Sequence, residues 1–277
     1  MKFLYCTAPG RLSLKLLLSA GVFNRVARWL GSPFSKVIIK PFIRYNRVDM
    51  NEFQGQEYGS FSDFFKRRRN SDVCVPASPN IFISPCDGML SVYDITDEAC
   101  FKVKGTHYSV SDLIPEPEIA DTYEDGLCLI FRLRACDYHH FCYIDNCTHG
   151  PIHFIEGMLH SVQPIALSRE PVFYLNRRTW SIMNTENFGS VAQIEVGALF
   201  VGEIEHTERA ACSKTNYTAR RGEDMGHFAL CGSTIIILLN KETKDRLHIK
   251  ECITALTARD EEYPVKMGDI IGHRTIH

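Results

Sequence analysis

No stretch of this sequence approaches the roughly 18 uninterrupted apolar residues that a membrane-crossing helix needs. The best candidate, Leu14 to Val26, is broken by Lys15, Ser19, Asn24 and Arg25. The 11 cysteines include no CxxC pair, and Cys136, Cys142 and Cys147 lack zinc-ligand spacing, so no metal site is expected. Their odd number and scatter argue against a disulfide framework and predict reduced thiols in a cytosol-facing protein. Missing too are a GxSxG elbow, a P-loop, an HExxH and a GxGxxG after a strand, which removes several enzyme classes. There is no internal repeat and no low-complexity linker.

What is present is globular composition. The chain has 277 residues, 45% hydrophobic and 23% charged, enough for one large domain or one domain with an N-terminal extension. Its net charge of -2 hides an uneven distribution, because residues 1–50 carry nine basic side chains against Asp49 alone. A basic end on an acidic body suggests an anionic surface as partner. Leu14, Leu17, Leu18, Val22, Val26 and Leu30 recur at helical spacing, Gly31-Ser32-Pro33 punctuates, and a second helix is expected over Phe34–Tyr45. Two basic amphipathic helices in series fit a protein lying on a membrane; a helical cap with solvated charges is the plainer alternative. Met1-Lys2 and the apolar run after it imitate a signal peptide, but without a clear cleavage site the segment is expected to be retained.

Ser60 or Ser62 can cap a short helix through Phe65, and the run Lys66–Arg69 then falls at its C-terminal end, where positive charge is favoured. No aromatics interleave that run, so it is not read as a nucleic-acid surface. After about Val75 the texture changes to short β-type segments: Ile81–Ile83, Gly88–Asp94, Cys100–Val103, Leu127–Leu133, His140–Ile144, Gly150–Leu159, Ser190–Val196, Leu199–Glu205, Gly226–Ala229 and Thr234–Leu239. Residues 206–224 read as a surface loop. The expected fold class is α+β, with a compact, mainly antiparallel β core and basic amphipathic N-terminal helices.

One serine stands out. Ser233 lies between Gly232 and Thr234, directly before the apolar run Ile235–Leu239; by itself that is a turn entering a strand. Its company changes the reading. Cys231-Gly232-Ser233-Thr234-Ile235-Ile236 resembles the self-processing motif of phosphatidylserine decarboxylases, Ser84-Pro85-Cys86-Asp87-Gly88 that family's SPxDG segment, and Asp137-Tyr138-His139 its DYHR segment. Tyr58–Phe65, Gly157–Pro164, Asn184–Gly189, Val196-Gly197-Ala198, Val201-Gly202 and Lys266–Gly272 resemble further family blocks in order.

The resemblance implies a proenzyme. Ser233 would attack the Gly232 carbonyl, and elimination from the resulting ester would leave a pyruvoyl group at residue 233, a covalent cofactor made from the chain itself. Chains 1–232 and 233–277 would remain together as a heterodimer. Decarboxylation of phosphatidylserine to phosphatidylethanolamine and CO2 would then run through a Schiff base. Asp87 and His139 sit where the family places its aspartate–histidine pair, with the histidine as base and the aspartate orienting it. A second family histidine is replaced by Cys142, which leaves His160 second and His140 third as candidate bases. The implied organisation is an N-terminal membrane-associating region, 1–70, and a catalytic domain, 71–277. The implied place is the cytoplasmic side of the cell membrane, bound peripherally, with an anionic membrane surface as partner and no nucleic acid. Two alternatives stay open: another pyruvoyl-dependent amino-acid decarboxylase, and an unprocessed lipid-binding member.

Overall fold

The computed structural model describes residues 2–17, 20–198, 204–211, 216–230 and 232–275. Its centre is the Ser233–Leu239 strand, STIIILL, in which all seven residues are buried. Such a run can only be satisfied with sheet neighbours on both edges and packing on both faces. Both are present. Residues Val191–Val196 pair with it on one side and Leu127–Leu133 on the other, each antiparallel. The sheet has nine strands, in the order Tyr217–Ala219, Cys147–His149, Arg178–Thr185, Gly189–Val196, Ser233–Leu239, Leu127–Leu133, Gly88–Asp94, Tyr263–Val265, with His153–Ile155 pairing off the third.

Side chains alternate across this sheet and divide the core in two. One face carries Ile235, Ile237, Leu239, Leu129, Phe131 and Val191. It packs against a three-stranded sheet of Ile204–His206, Asp224–Phe228 and His140–Cys142, which contributes Phe141 and Phe228. The other face carries Ile236, Leu238, Ala192 and Ile194 and is covered by Phe101, Tyr108, Phe173 and, from the N-terminal helices, Tyr5 and Leu14. A third cluster fastens the N-terminal region to the body, with Phe61, Phe64 and Phe65 against Leu30 and Leu230.

The α+β expectation holds, as mainly antiparallel strands with helices concentrated at the N-terminus. The helical stretch is more broken than its periodicity predicts: Lys2–Cys6, Ala8–Leu17 and Ala20–Leu30 precede a 3-10 segment Pro33–Ile38 and then Ile39–Asn46. Leu14 and Leu30 are buried as expected, while the side chains of Leu17 and Leu18 lie outside the described residues. Ser60 is the cap, accepting from the Asp63 N–H at 3.1 Å. The basic run after it does more than complement a helix end. Lys66 pairs with Glu205, Arg68 with Asp224, and Arg69 with both Glu52 and Asp87. The expected surface loop at 206–224 instead contains the helix Glu208–Ala211 and the edge strand Tyr217–Ala219; 212–215 lie outside the described residues, as do 199–203 of another expected strand.

Because Ile237 is fully buried at the middle of the central strand, Ile237→Ala should cost roughly 2–5 kcal/mol, read as a lowered urea midpoint with an unchanged slope.

Candidate active site

Ser233 opens the central strand opposite Leu133. It has no solvent exposure, and its Oγ has no hydrogen-bond partner among the described residues. A buried hydroxyl left unpaired is costly and uncommon. Gly232 precedes it beside Val162, whose Cγ2 lies 3.5 Å from where a Cβ would stand on that glycine. Residue 231 lies outside the described residues.

His139 is brought to the same end of the sheet by two connections. Leu133, the partner of Ser233, is followed by the turn Arg134–Asp137, in which the Asp137 N–H donates to the Arg134 carbonyl at 3.0 Å. Phe65 packs on the His139 ring at 4.2 Å and shares its cluster with Leu230, three residues before Ser233. The His139 Nδ1 lies 3.0 Å from the Asp137 carbonyl oxygen. A carbonyl can only accept, so Nδ1 carries the proton and Nε2 presents its lone pair. That Nε2 is buried and unpartnered. Burial, reinforced by the Arg67 guanidinium, pushes the imidazole down to about 3. His139 is therefore a neutral imidazole with a fixed orientation at physiological pH. No hydrogen bond joins it to Ser233 among the described residues.

Asp87 stands on the opposite side of the Leu127–Leu133 strand. Gly88 approaches that strand so closely that a Cβ would lie 2.9 Å from the Arg132 carbonyl oxygen. The Asp87 carboxylate is buried and accepts from the Arg69 Nη2 at 2.9 and 3.1 Å, the Lys266 Nζ at 2.9 Å and the Met267 N–H at 2.9 Å. It is thus held by two cations, whereas the group that fixes the His139 tautomer is the Asp137 backbone carbonyl.

His160 approaches from the segment that touches Gly232. Its N–H donates to Asn176 Oδ1 at 2.8 Å, and Asn176 Nδ2 returns bonds to the carbonyls of His160 at 2.8 Å and Gly197 at 2.7 Å. One buried amide therefore ties the 160 and 197 segments together beside the strand end. Tyr5, from the first helix, accepts from the Ser161 N–H at 2.9 Å and lies 3.5 Å from the His160 Nδ1. Burial lowers the His160 imidazole from its ordinary value. His140 is committed elsewhere: its Nδ1 faces Asp224 at 3.2 Å, its Nε2 the Lys66 carbonyl at 3.2 Å, and its ring stacks between Tyr138 and His227. Cys142 is buried among Phe53, Tyr138 and Met267, and burial pushes its thiol up to about 12, so it stays protonated and cannot act as a base.

A cavity of about 520 Å³ opens beside Asp87, lined also by Arg47, Arg67, Arg69, Asp137 and Lys266. Arg67 is 3% exposed, with its guanidinium over the Phe53 and Phe64 rings and its Nε and Nη1 unpartnered. Arg67, Arg69, Asn176 and Tyr5 are the site residues that sequence reasoning did not single out. Only the two arginines left a trace, inside the basic run after Phe65.

The family model described as phosphatidylserine decarboxylase matches residues 61–273. A phosphatidylserine decarboxylase proenzyme 2 of Clostridium acetobutylicum is 36% identical over 274 residues, 98% of this chain and 91% of that protein. Phosphatidylserine decarboxylase proenzymes of Clostridium perfringens and Clostridium botulinum are each 36% identical, over 98% and 100% of this chain and 91% and 93% of their own lengths.

Burial of neutral His139 has a consequence for stability. Its folded value lies below the ordinary one of 6.5, so between about pH 6.5 and 3 the unfolded chain binds a proton there that the folded chain does not. Stability should fall as pH drops through that window, by up to about 1.4 kcal/mol per pH unit from this group. Urea titrations at pH 6 and 4.5 should show a smaller loss in His139→Leu than in the unsubstituted chain.

Proposed function

Because the chain belongs to the phosphatidylserine decarboxylase family, a family of carboxy-lyases, we propose that it is a self-cleaving proenzyme that converts phosphatidylserine to phosphatidylethanolamine and CO2. The observation that carries the reading is the pair of buried, unpartnered atoms at one end of the sheet, the Ser233 Oγ and the His139 Nε2. His139, neutral and held by Asp137, takes the Ser233 proton, with His160 as the second candidate for that task. The Oγ then adds to the Gly232 carbonyl, and the peptide bond becomes an ester. Loss of the residue 233 Cα proton expels Gly232 as a carboxylate, and hydrolysis with release of ammonia leaves the pyruvoyl group. That group supplies a carbonyl electron sink for the amine of the substrate. Asp87 serves the reaction through charge: with Arg69 and Lys266 it borders a cavity that is lined by neither Ser233 nor His139, and whose charges of both signs suit a headgroup bearing ammonium, carboxylate and phosphate.

The two cleavage chains would stay together as a heterodimer, because the 233–277 chain begins with the central strand and is paired on both edges to the 1–232 chain. Residues 1–70 form the membrane-associating region and 71–277 the catalytic domain in this reading. Among the described residues no helix is long and apolar enough to cross a membrane. Trp29, Phe34, Val37 and Tyr45 are nevertheless exposed, at 46, 81, 72 and 89%, beside exposed Lys36, Lys40 and Arg44. Apolar rings interleaved with cations favour peripheral docking on an anionic bilayer, at the cytoplasmic side of the cell membrane.

Purified chain should resolve on a denaturing gel into two fragments, the smaller spanning residues 233–277 with a blocked N-terminus by mass spectrometry. Ser233→Ala should remain at 31.6 kDa and release no CO2 from phosphatidylserine vesicles. Activity in that variant, or a wild-type chain that stays whole, would refute the proposal.

A further inference from the structure

The face of the sheet on which Ser233 stands is apolar along most of its length and turns polar at one corner. Val191 continues along its strand into Gln193 and Glu195 on the same face, and Met183 on the neighbouring strand into Ser181 and Thr179. All four of these polar residues are at most 4% exposed. Glu195 has no exposure, yet each of its carboxylate oxygens accepts a hydrogen bond. Oε2 accepts from Thr179 Oγ1 at 2.6 Å and Oε1 accepts from Gln193 Nε2 at 2.8 Å, while the buried His206 Nε2 lies 3.5 Å from Oε2 without forming a hydrogen bond. His149 stands behind, 3.0 Å from the Ser181 hydroxyl, with its other nitrogen unpartnered. Burial, opposed by the Glu195 charge, pushes that imidazole down to about 4.

The fold does not require a charge here. Burying a carboxylate costs several kcal/mol before any compensation, and an aliphatic residue serves two rungs away at Val191. The placement suggests another reason. Glu195 is directly opposite Ile235, so Ser233, two residues before on the same face, is its diagonal neighbour, about 7–8 Å away between backbones. His206 reaches Glu195 from the small sheet because its partner across the ladder is Gly226. A Cβ there would lie 2.9 Å from the Phe141 Cζ and 3.0 Å from the His206 Cα, and over that gap the two rings meet edge-on at 5.9 Å. The His206 side chain keeps 6% exposure, whereas Glu195 has none. The pair therefore runs from the rim of the protein to the neighbourhood of residue 233.

We propose that His206 and Glu195 form a proton-delivery relay for the reaction at residue 233, separate from the base His139. The proposal rests on the self-processing decarboxylase reading. Each decarboxylation breaks one carbon–carboxylate bond, releases CO2 and leaves an electron pair on the substrate carbon that must take up one proton. Residue 233 is closed to solvent, and neutral His139, its one proton committed to the Asp137 carbonyl, suits removal of a proton better than delivery. His206 takes a proton from water and passes it through Nε2 to the Glu195 carboxylate. The Glu195 carboxyl gives it to the carbon side of the site, and the pair returns to its starting charge. His149 is the other titratable group facing Glu195, with Tyr143 and Tyr217 packed behind it.

The test uses cleaved enzyme and phosphatidylserine vesicles. His206→Ala should process at Gly232–Ser233 and then turn over at a tenth of the wild-type kcat or less with KM unchanged, and imidazole in the buffer should restore the rate through the opened rim. Glu195→Gln should lose kcat similarly and gain nothing from imidazole. A kcat within twofold of wild type in either variant, or a loss in His206→Ala that imidazole does not relieve, overturns the relay. If the thermal transition shows that His206→Ala does not fold, His206→Gln is held to the same kcat criterion. A wild-type chain that stays uncut overturns the underlying reading, and the relay with it.

Discussion

The seven buried residues of the Ser233–Leu239 strand pair with a neighbour on each edge and pack on both faces, and the site inherits its geometry from that arrangement. A strand so enclosed cannot slip, because a shift of one residue would exchange its two apolar faces and misplace every contact. Ser233 is thereby fixed opposite Leu133 and diagonal to Glu195. The same enclosure would hold two cleavage chains together, since the strand's ladders survive a break just before it. A reactive residue at the mouth of a rigid strand is better positioned than one on a loop.

Charge is managed around this strand by compensation at short range. Asp87 is almost fully buried and accepts from a guanidinium, an ammonium and a backbone N–H. Asp137 is held by Arg134 at the N–H, Nε and Nη2, so its carboxyl stays low despite its burial. Arg67 is the exception: its guanidinium lies between two phenylalanine rings and, among the described residues, donates only to the Asp137 carbonyl, at 3.3 Å. Arg67 thus places a fixed positive charge beside His139 and, together with burial, keeps that imidazole neutral against the opposing charges of Asp137 and Asp87.

Parts of the fold were legible because single residues announce them. The apolar runs Leu127–Leu133 and Ile235–Leu239 appear as strands, and Ser60 caps its helix as its position before Phe61-Ser62-Asp63 suggests. The strand Arg178–Thr185 escaped notice for a physical reason. Thr179 and Ser181 face the buried polar corner around Glu195, so the apolar alternation that marks a strand is missing where it would be sought. Tyr217–Ala219 escaped because three residues at a sheet edge are held by the partner strand Cys147–His149 and not by their own propensity. The basic run after Phe65 was legible as charge, but not as four side chains bound to four different parts of the body.

Alone, the sequence determined the class of the fold and the family, since each depends on local pattern or on motifs in order, and it made Ser233 the leading candidate for the chemistry. It also placed Asp87, His139 and His160 among the candidates. The tertiary structure decided what each of them touches. It gave Asp87 to Arg69 and Lys266, set His139 on the Asp137 carbonyl with a free Nε2, and tied His160 to Asn176 and Tyr5. Those partners are distant in the chain, from 16 to 179 residues away in all but the Asp137 contact. Hydrogen bonds and ion pairs depend on distances of a few ångströms, and only the packed sheets bring such residues within that range.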